Sequence, residues 1–139
     1  MNRRKSWVEK RDLDKEAVVK KLDKDFADMR TGEKMLIATS RIVDAYIRHI
    51  PRGHQQELKQ MRKGLAVEYG ADVTCPVTSG IFLRIVAEAA WEEYHQGKSI
   101  SQITPFWRMM STQSPTAKKL SFGLEFLKKQ REKEKLLPL

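Results

Sequence analysis

The sequence predicts a mainly α-helical, winged-helix-like helix-turn-helix domain with an N-terminal helical extension and at most short strands. Two observations carry this. Apolar residues recur at three- and four-residue spacing in one segment after another. Two of those segments, about 56–68 and 76–96, are separated only by a tight turn, with Gly70 placed to close the first and Pro76 to open the second. A further helical segment before the pair and an extended stretch after it complete the layout of a helix-turn-helix or winged-helix module. The 139 residues suffice for one core, and the division expected is an extension over 1–34 followed by a DNA-binding domain over 35–139.

The elements follow in order. Asp12 or Asp14 can cap a first helix whose apolar positions are Val18, Leu22, Phe26 and Met29, ending near Met29 before Thr31-Gly32-Glu33. Met35-Leu36-Ile37 is short, apolar and bounded by polar residues, which predicts a brief strand. Ser40 caps a second helix with Ile42, Val43, Tyr46 and Ile47 on one side, stopped by Pro51 and Gly53. The third helix, over 56–68, carries a narrow stripe of Leu58, Met61 and Leu65, leaving Lys59, Arg62 and Lys63 outward. In the fourth, from Pro76 to the stop at Gly97, the expected inner side is Phe82, Ile85, Val86 and Ala89, and Arg84 and Glu88 form an outer pair one turn apart. A fifth helix over 121–135 should turn Leu124, Phe126 and Leu127 inward and Lys128, Lys129, Arg131 and Lys133 to water. Between the last two lies Ile103-Thr104-Pro105-Phe106-Trp107-Arg108-Met109-Met110, read as a loop. Its aromatics and arginine either line a pocket for a flat ligand or belong to the core.

Twenty-seven Lys and Arg against 18 Asp and Glu give a net charge of +9, which points to a polyanionic partner. The cations cluster at Arg3, Arg4, Lys5, Lys10 and Arg11, again from Arg48 to Lys63, and again over 118–135. The stretch 65–104 is acidic, and Glu88, Glu92 and Glu93 are expected to repel phosphate, so only the N-terminal half of the fourth helix would face DNA. Arg52, His54, Lys59, Arg62 and Lys63 are the candidate phosphate contacts, joined by Thr74, Thr78 and Ser79 near a helix N-terminus and by Arg84. No apolar run spans a bilayer and no apolar signal core follows the first residues, so a cytoplasmic protein without a membrane partner is expected. One cysteine and three scattered histidines give no metal-ligand spacing, and no metal or cofactor is expected. Cys75, at a helix start, is either a nucleophile or a small buried residue, and the second reading is favoured.

Ile50-Pro51-Arg52-Gly53, the helix after it, the run from Gly70 through Cys75-Pro76 to Gly80-Ile81-Phe82, and Pro105-Phe106-Trp107-Arg108-Met109 together resemble the DNA-binding domain of alkylguanine-DNA alkyltransferases and alkyltransferase-like proteins. Alkyltransferases carry a Pro-Cys-His-Arg-Val motif whose cysteine thiolate takes the alkyl group from a flipped guanine. Phe106 stands in the cysteine position here and Trp107 in the histidine position, so the resemblance implies the branch that binds damaged bases without repairing them. Pro105, Phe106, Trp107 and Arg108 then become the candidates for the base pocket. The family's nucleotide-flipping tyrosine falls on Leu58, and its stack-filling arginine falls near Val77 with Arg84 two turns further on. The function expected is non-catalytic binding of double-stranded DNA, with alkylated guanine as the lesion. The alternative is a protein-interaction or regulatory module that keeps the fold and has lost DNA binding.

Overall fold

A computed structural model describes residues 4–137. Its elements are α1 (Trp7–Arg11), β1 (Val18–Lys21), β2 (Lys34–Ile37), α2 (Ser40–Arg48), α3 (Leu58–Glu68), β3 (Val73–Thr74), α4 (Pro76–His95), a 3₁₀ turn (Phe106–Arg108), α5 (Pro115–Lys118) and α6 (Glu125–Lys133). The protein is mainly helical with one small sheet, as the sequence predicts. All three strands precede α4.

The helix expected over 12–29 does not form. The helical residues lie earlier, in α1, where the Ser6 hydroxyl accepts from the Glu9 amide and the Glu9 carboxylate accepts from the Ser6 amide. Val18-Val19 enters β1 instead, antiparallel to β2, with Val18 opposite Ile37 and Val19 opposite Leu36. The chain then folds back through Ala27, at a left-handed φ of 54°, and a Phe26–Met29 bridge. Asp25 secures this loop by accepting from both the amide and the hydroxyl of Thr31. Among the described residues of the expected extension 1–34, only α1 is helical, and β1 ties the segment into the sheet. β2 pairs on its other side with β3, in parallel, Leu36 opposite Thr74. Because β3 lies in the turn between α3 and α4, the sheet holds that turn against the N-terminal strands.

The helix ends follow local chemistry. Thr39, one residue before the predicted Ser40, caps α2 through the Ile42 amide, which frees the Ser40 hydroxyl to donate to the Arg11 carbonyl at 2.8 Å. At the end of α3, Gly70 takes a φ of +67° and the Ala71 amide reaches back to the Ala66 carbonyl at 2.8 Å. Pro76 occupies the first turn of α4, and beyond the helix's other end the Lys98 amide closes on the Glu93 carbonyl.

The core gathers Leu36, Val43, Ile47, Met61, Leu65, Leu83, Val86, Ala87, Ala90, Phe106, Trp107 and Leu127. α4 runs through its middle, against α1, α2 and α3, and is buried on more than one side. Leu83, Ala87 and Ala90 therefore join Val86 and Ala89 inside, while Phe82 and Ile85 are only half-buried.

The expected Arg84–Glu88 pair forms, but its carboxylate is not at the surface. Glu88 is 1% exposed and accepts from the amide and hydroxyl of Ser121 as well as from Arg84. Nor do its neighbours form a phosphate-repelling face: Glu92 accepts from the Val8 amide, and buried Glu93 accepts from Arg11 and Lys98. Burial opposes ionisation of Glu93, but the hydrogen bonds from Arg11 and Lys98 outweigh it and hold its carboxyl below the usual glutamate range. The acidity of α4 is an internal matter, spent on docking α1 and the segment before α6.

α6 begins later than expected because Gly123 turns at a φ of +79° just before it. Leu127 reaches the core, but Leu124 remains 37% exposed. Arg131 reverses its predicted role. It is buried, donating to the carbonyls of Trp107, Met110 and Leu137 and to the Gln55 side chain. Among the described residues no helix is long and apolar enough to cross a membrane.

Candidate functional site

Of the two readings open for the aromatic segment, packing is the one observed. Phe106 is 0% exposed and Trp107 1%. Their rings meet edge to face at 5.4 Å, and Phe106 also contacts Phe122 and Phe126 at 5.9 and 6.0 Å. The indole N–H of Trp107 donates to Glu134, which also receives the Gly53 amide and two bonds from Arg108 at 2.9 and 3.0 Å. The remaining Arg108 nitrogen donates to the Ile50 carbonyl at 2.7 Å. Burial works against the Glu134 charge, but Arg108, the Gly53 amide and Trp107 prevail and lower its pKa. Pro105, Phe106, Trp107 and Arg108 therefore lock the loop to α6 and do not present a stacking surface. This corrects the pocket expected from the alignment.

The open space lies immediately after them. A cavity of about 910 Å³ is bounded by Leu58 in the first turn of α3, by Val77, Gly80 and Ile81 in the first turns of α4, and by Met110 and Pro115 beyond the 3₁₀ turn. Trp7 of α1 closes another side, with the Lys10 ammonium 4.2 Å and the Arg84 guanidinium 5.3 Å from its ring centroid. Lys119 adds a third cation to the lining. The space is an apolar concavity with a few charged groups, and its volume falls within the ~300–1,000 Å³ of small-ligand pockets. Gly80 keeps it open: a Cβ there would meet nothing within 4 Å.

The predicted phosphate contacts divide into two groups. Lys59 and Lys63 are exposed along α3, Arg52 and His54 are exposed in the turn after α2, and Arg84 borders the cavity. Arg62 is not free. It holds Asp28 through two bonds of 2.9 and 2.8 Å and donates to the Thr74 carbonyl at 2.8 Å. Thr74 and Ser79 are buried, their hydroxyls donating to the carbonyls of Arg62 and Cys75. Thr78 is half-buried and its hydroxyl has no partner among the described residues. Arg52 does not share the cavity; it lines a separate cleft of about 640 Å³ with Arg48 and Lys133, to which Pro105, Trp107 and Arg108 also contribute. Cys75 is buried against Met29 and Met35.

Sequence reasoning missed Trp7, Ile81, Met110 and Pro115 as cavity walls. Met110 and Gly80 lie in the segments singled out, but nothing local marks them as lining. Among the described residues no group of three or more His, Cys, Asp or Glu is placed to hold a metal. No protein-family profile, curated protein or solved structure matches the chain.

Proposed function

We propose that the chain is a non-catalytic DNA-binding protein similar to alkyltransferase-like proteins, and that it takes an alkylated guanine into the cavity between α3 and α4. The observation that carries this reading is the cavity itself. It opens beside the N-terminal turns of the two helices of the helix-turn-helix pair, directly after the segment that resembles the alkyl-acceptor motif, and Lys10, Arg84 and Lys119 line it against a single carboxylate, Glu57. On this reading the small sheet that holds the turn between α3 and α4 is the winged-helix-like part of the domain. Lys59 and Lys63 along α3 contact backbone phosphates beside the cavity.

Extruding a base leaves a gap that something must fill. Val77, 53% exposed at the start of α4, is an apolar wedge at the position of the family's arginine, and apolar wedges are an established way to hold an unstacked step. With buried Phe106 at the acceptor position, the flipped base is bound and not dealkylated. The test is a titration, at fixed salt, of duplexes differing only by one O-alkylated guanine. The modified duplex should bind more tightly, and the alkyl group should stay on the guanine. Equal affinity for the two duplexes overturns damage recognition.

One observation favours the second reading, a protein-interaction module. Ile81 is 54% exposed beside Val77, so the outer face of α4 offers two aliphatic side chains where a DNA reader usually offers polar ones. Salt separates the readings: DNA binding falls with a log-log slope of about −0.9 per phosphate neutralised, and apolar protein docking does not.

A further inference from the structure

The cleft on the other side of the Phe106–Arg108 turn has its own chemistry. Its walls come from the end of α2, the turn containing Arg52, the segment 100–105, and α6. Arg48, Arg52, Arg108 and Lys133 line it against a single carboxylate, Glu134. Arg108 and Glu134 satisfy each other, and Arg48 is held by Asp44 at 3.0 Å. Arg52 and Lys133 are exposed and make no ion pair among the described residues.

Gln130 supplies the independent observation. It projects from α6 into this lining and is only 4% exposed, yet its carboxamide makes no hydrogen bond to any described residue. The carboxamide is not sealed off from solvent, so a ligand in the cleft can reach it without displacing a protein partner. A donor left unused at the side of a cleft that carries two unpaired cations marks a place for an acceptor.

We infer that this cleft binds a phosphate group. Arg52 from the turn after α2, and Gln130 and Lys133 one turn apart on the same face of α6, bring donors from two separate elements. That arrangement suits an anion with three or four oxygens better than a flat carboxylate. Arg48, fixed by Asp44 and by the Gln102 carbonyl, sets the field on the remaining side. The site is distinct from the cavity between α3 and α4 and does not depend on damage recognition. Its phosphate arrives either as a free phosphate monoester or as part of a nucleic-acid backbone.

The experiment is an NMR titration of the ¹⁵N-labelled full chain with inorganic phosphate at constant ionic strength. The side-chain amide pair of Gln130, identified by its disappearance in Gln130→Leu, should shift saturably. Arg52→Ala and Lys133→Ala, both at exposed positions, should each weaken binding by about tenfold, the worth of one charge-assisted hydrogen bond. Gly80→Leu, in the other cavity, should leave the titration unchanged. Two further arms identify the source. Displacement of phosphate by undamaged duplex DNA assigns the site to the backbone, whereas tighter binding of a nucleoside 5′-monophosphate with no response to duplex assigns it to a free ester. An unsaturable drift of the Gln130 signal, or an unchanged affinity in Arg52→Ala, overturns the inference.

Discussion

Replacing Glu134 by Gln should destabilise the protein by about 3 kcal/mol at pH 7, because one carboxylate joins three parts of the chain. It receives Arg108 twice, the Trp107 indole and the Gly53 amide, and its side chain is 4% exposed. Glutamine keeps the shape but removes the charge facing Arg108, and its NH₂ group confronts donors with another donor. Breaking a buried ion pair by removing one partner typically costs ~3–5 kcal/mol. The lower end applies because Arg108 retains its bond to the Ile50 carbonyl. The assay is urea unfolding of wild type and variant, with the slope checked for constancy. The pH dependence follows from the lowered pKa of Glu134. Its contribution is fully present above the unfolded glutamate value of about 4.3 and is lost as pH falls through the folded value. The gap between wild type and variant should therefore shrink in acid. A loss under 1 kcal/mol at pH 7, or a gap that widens as pH falls, refutes the role given to this carboxylate.

Other predictions follow from the same geometry. Lys63→Ala should reduce the salt slope of duplex binding by about 0.9 with little effect on stability, whereas Arg62→Ala should lower stability and leave the slope unchanged, since Arg62 is committed to Asp28 and Thr74. DNA titrations over a salt series and thermal melts check both. Glu88→Leu should cost ~2–4 kcal/mol by orphaning the Ser121 amide, measured by denaturant unfolding. Iodoacetamide should label Cys75 slowly in the native protein and rapidly in denaturant, because the thiol is packed against Met29 and Met35. Equal rates in the two conditions would contradict its burial.

The legible parts of the fold are those whose signals are local. Pro51 and Gly53, then Gly70, Pro76 and Gly97, punctuate the chain where the helices end or begin, and α2, α3 and α4 fall between them. Residues 12–29 misled because Val18, Leu22, Phe26 and Met29 sit at helical spacing. Only pairing with β2, a partner more distant in sequence, turns Val18-Val19 into a strand. The face of α4 was blurred for a different reason: a helix packed on several sides has no clean apolar stripe. Buried Glu88 and Arg131 are invisible to periodicity, since each is satisfied by backbone groups remote in sequence. At the site, chemistry was easier to read than space. The side chains of Phe106 and Trp107 can be read for their chemistry one residue at a time, but the cavity beside them depends on Trp7, Leu58, Ile81 and Pro115 meeting in three dimensions.

The cavity is the centre of the proposed function, and Gly80→Leu tests it most directly. The added side chain enters open space within a helix, and leucine replaces glycine at a gain of roughly 0.5–1 kcal/mol in helix propensity, so the variant should melt no lower than wild type. Its affinity for an unmodified duplex should be unchanged, and its preference for a duplex carrying an O-alkylated guanine should disappear. A folded Gly80→Leu protein that still prefers the damaged duplex as strongly as wild type would contradict the assignment of the cavity as the base pocket.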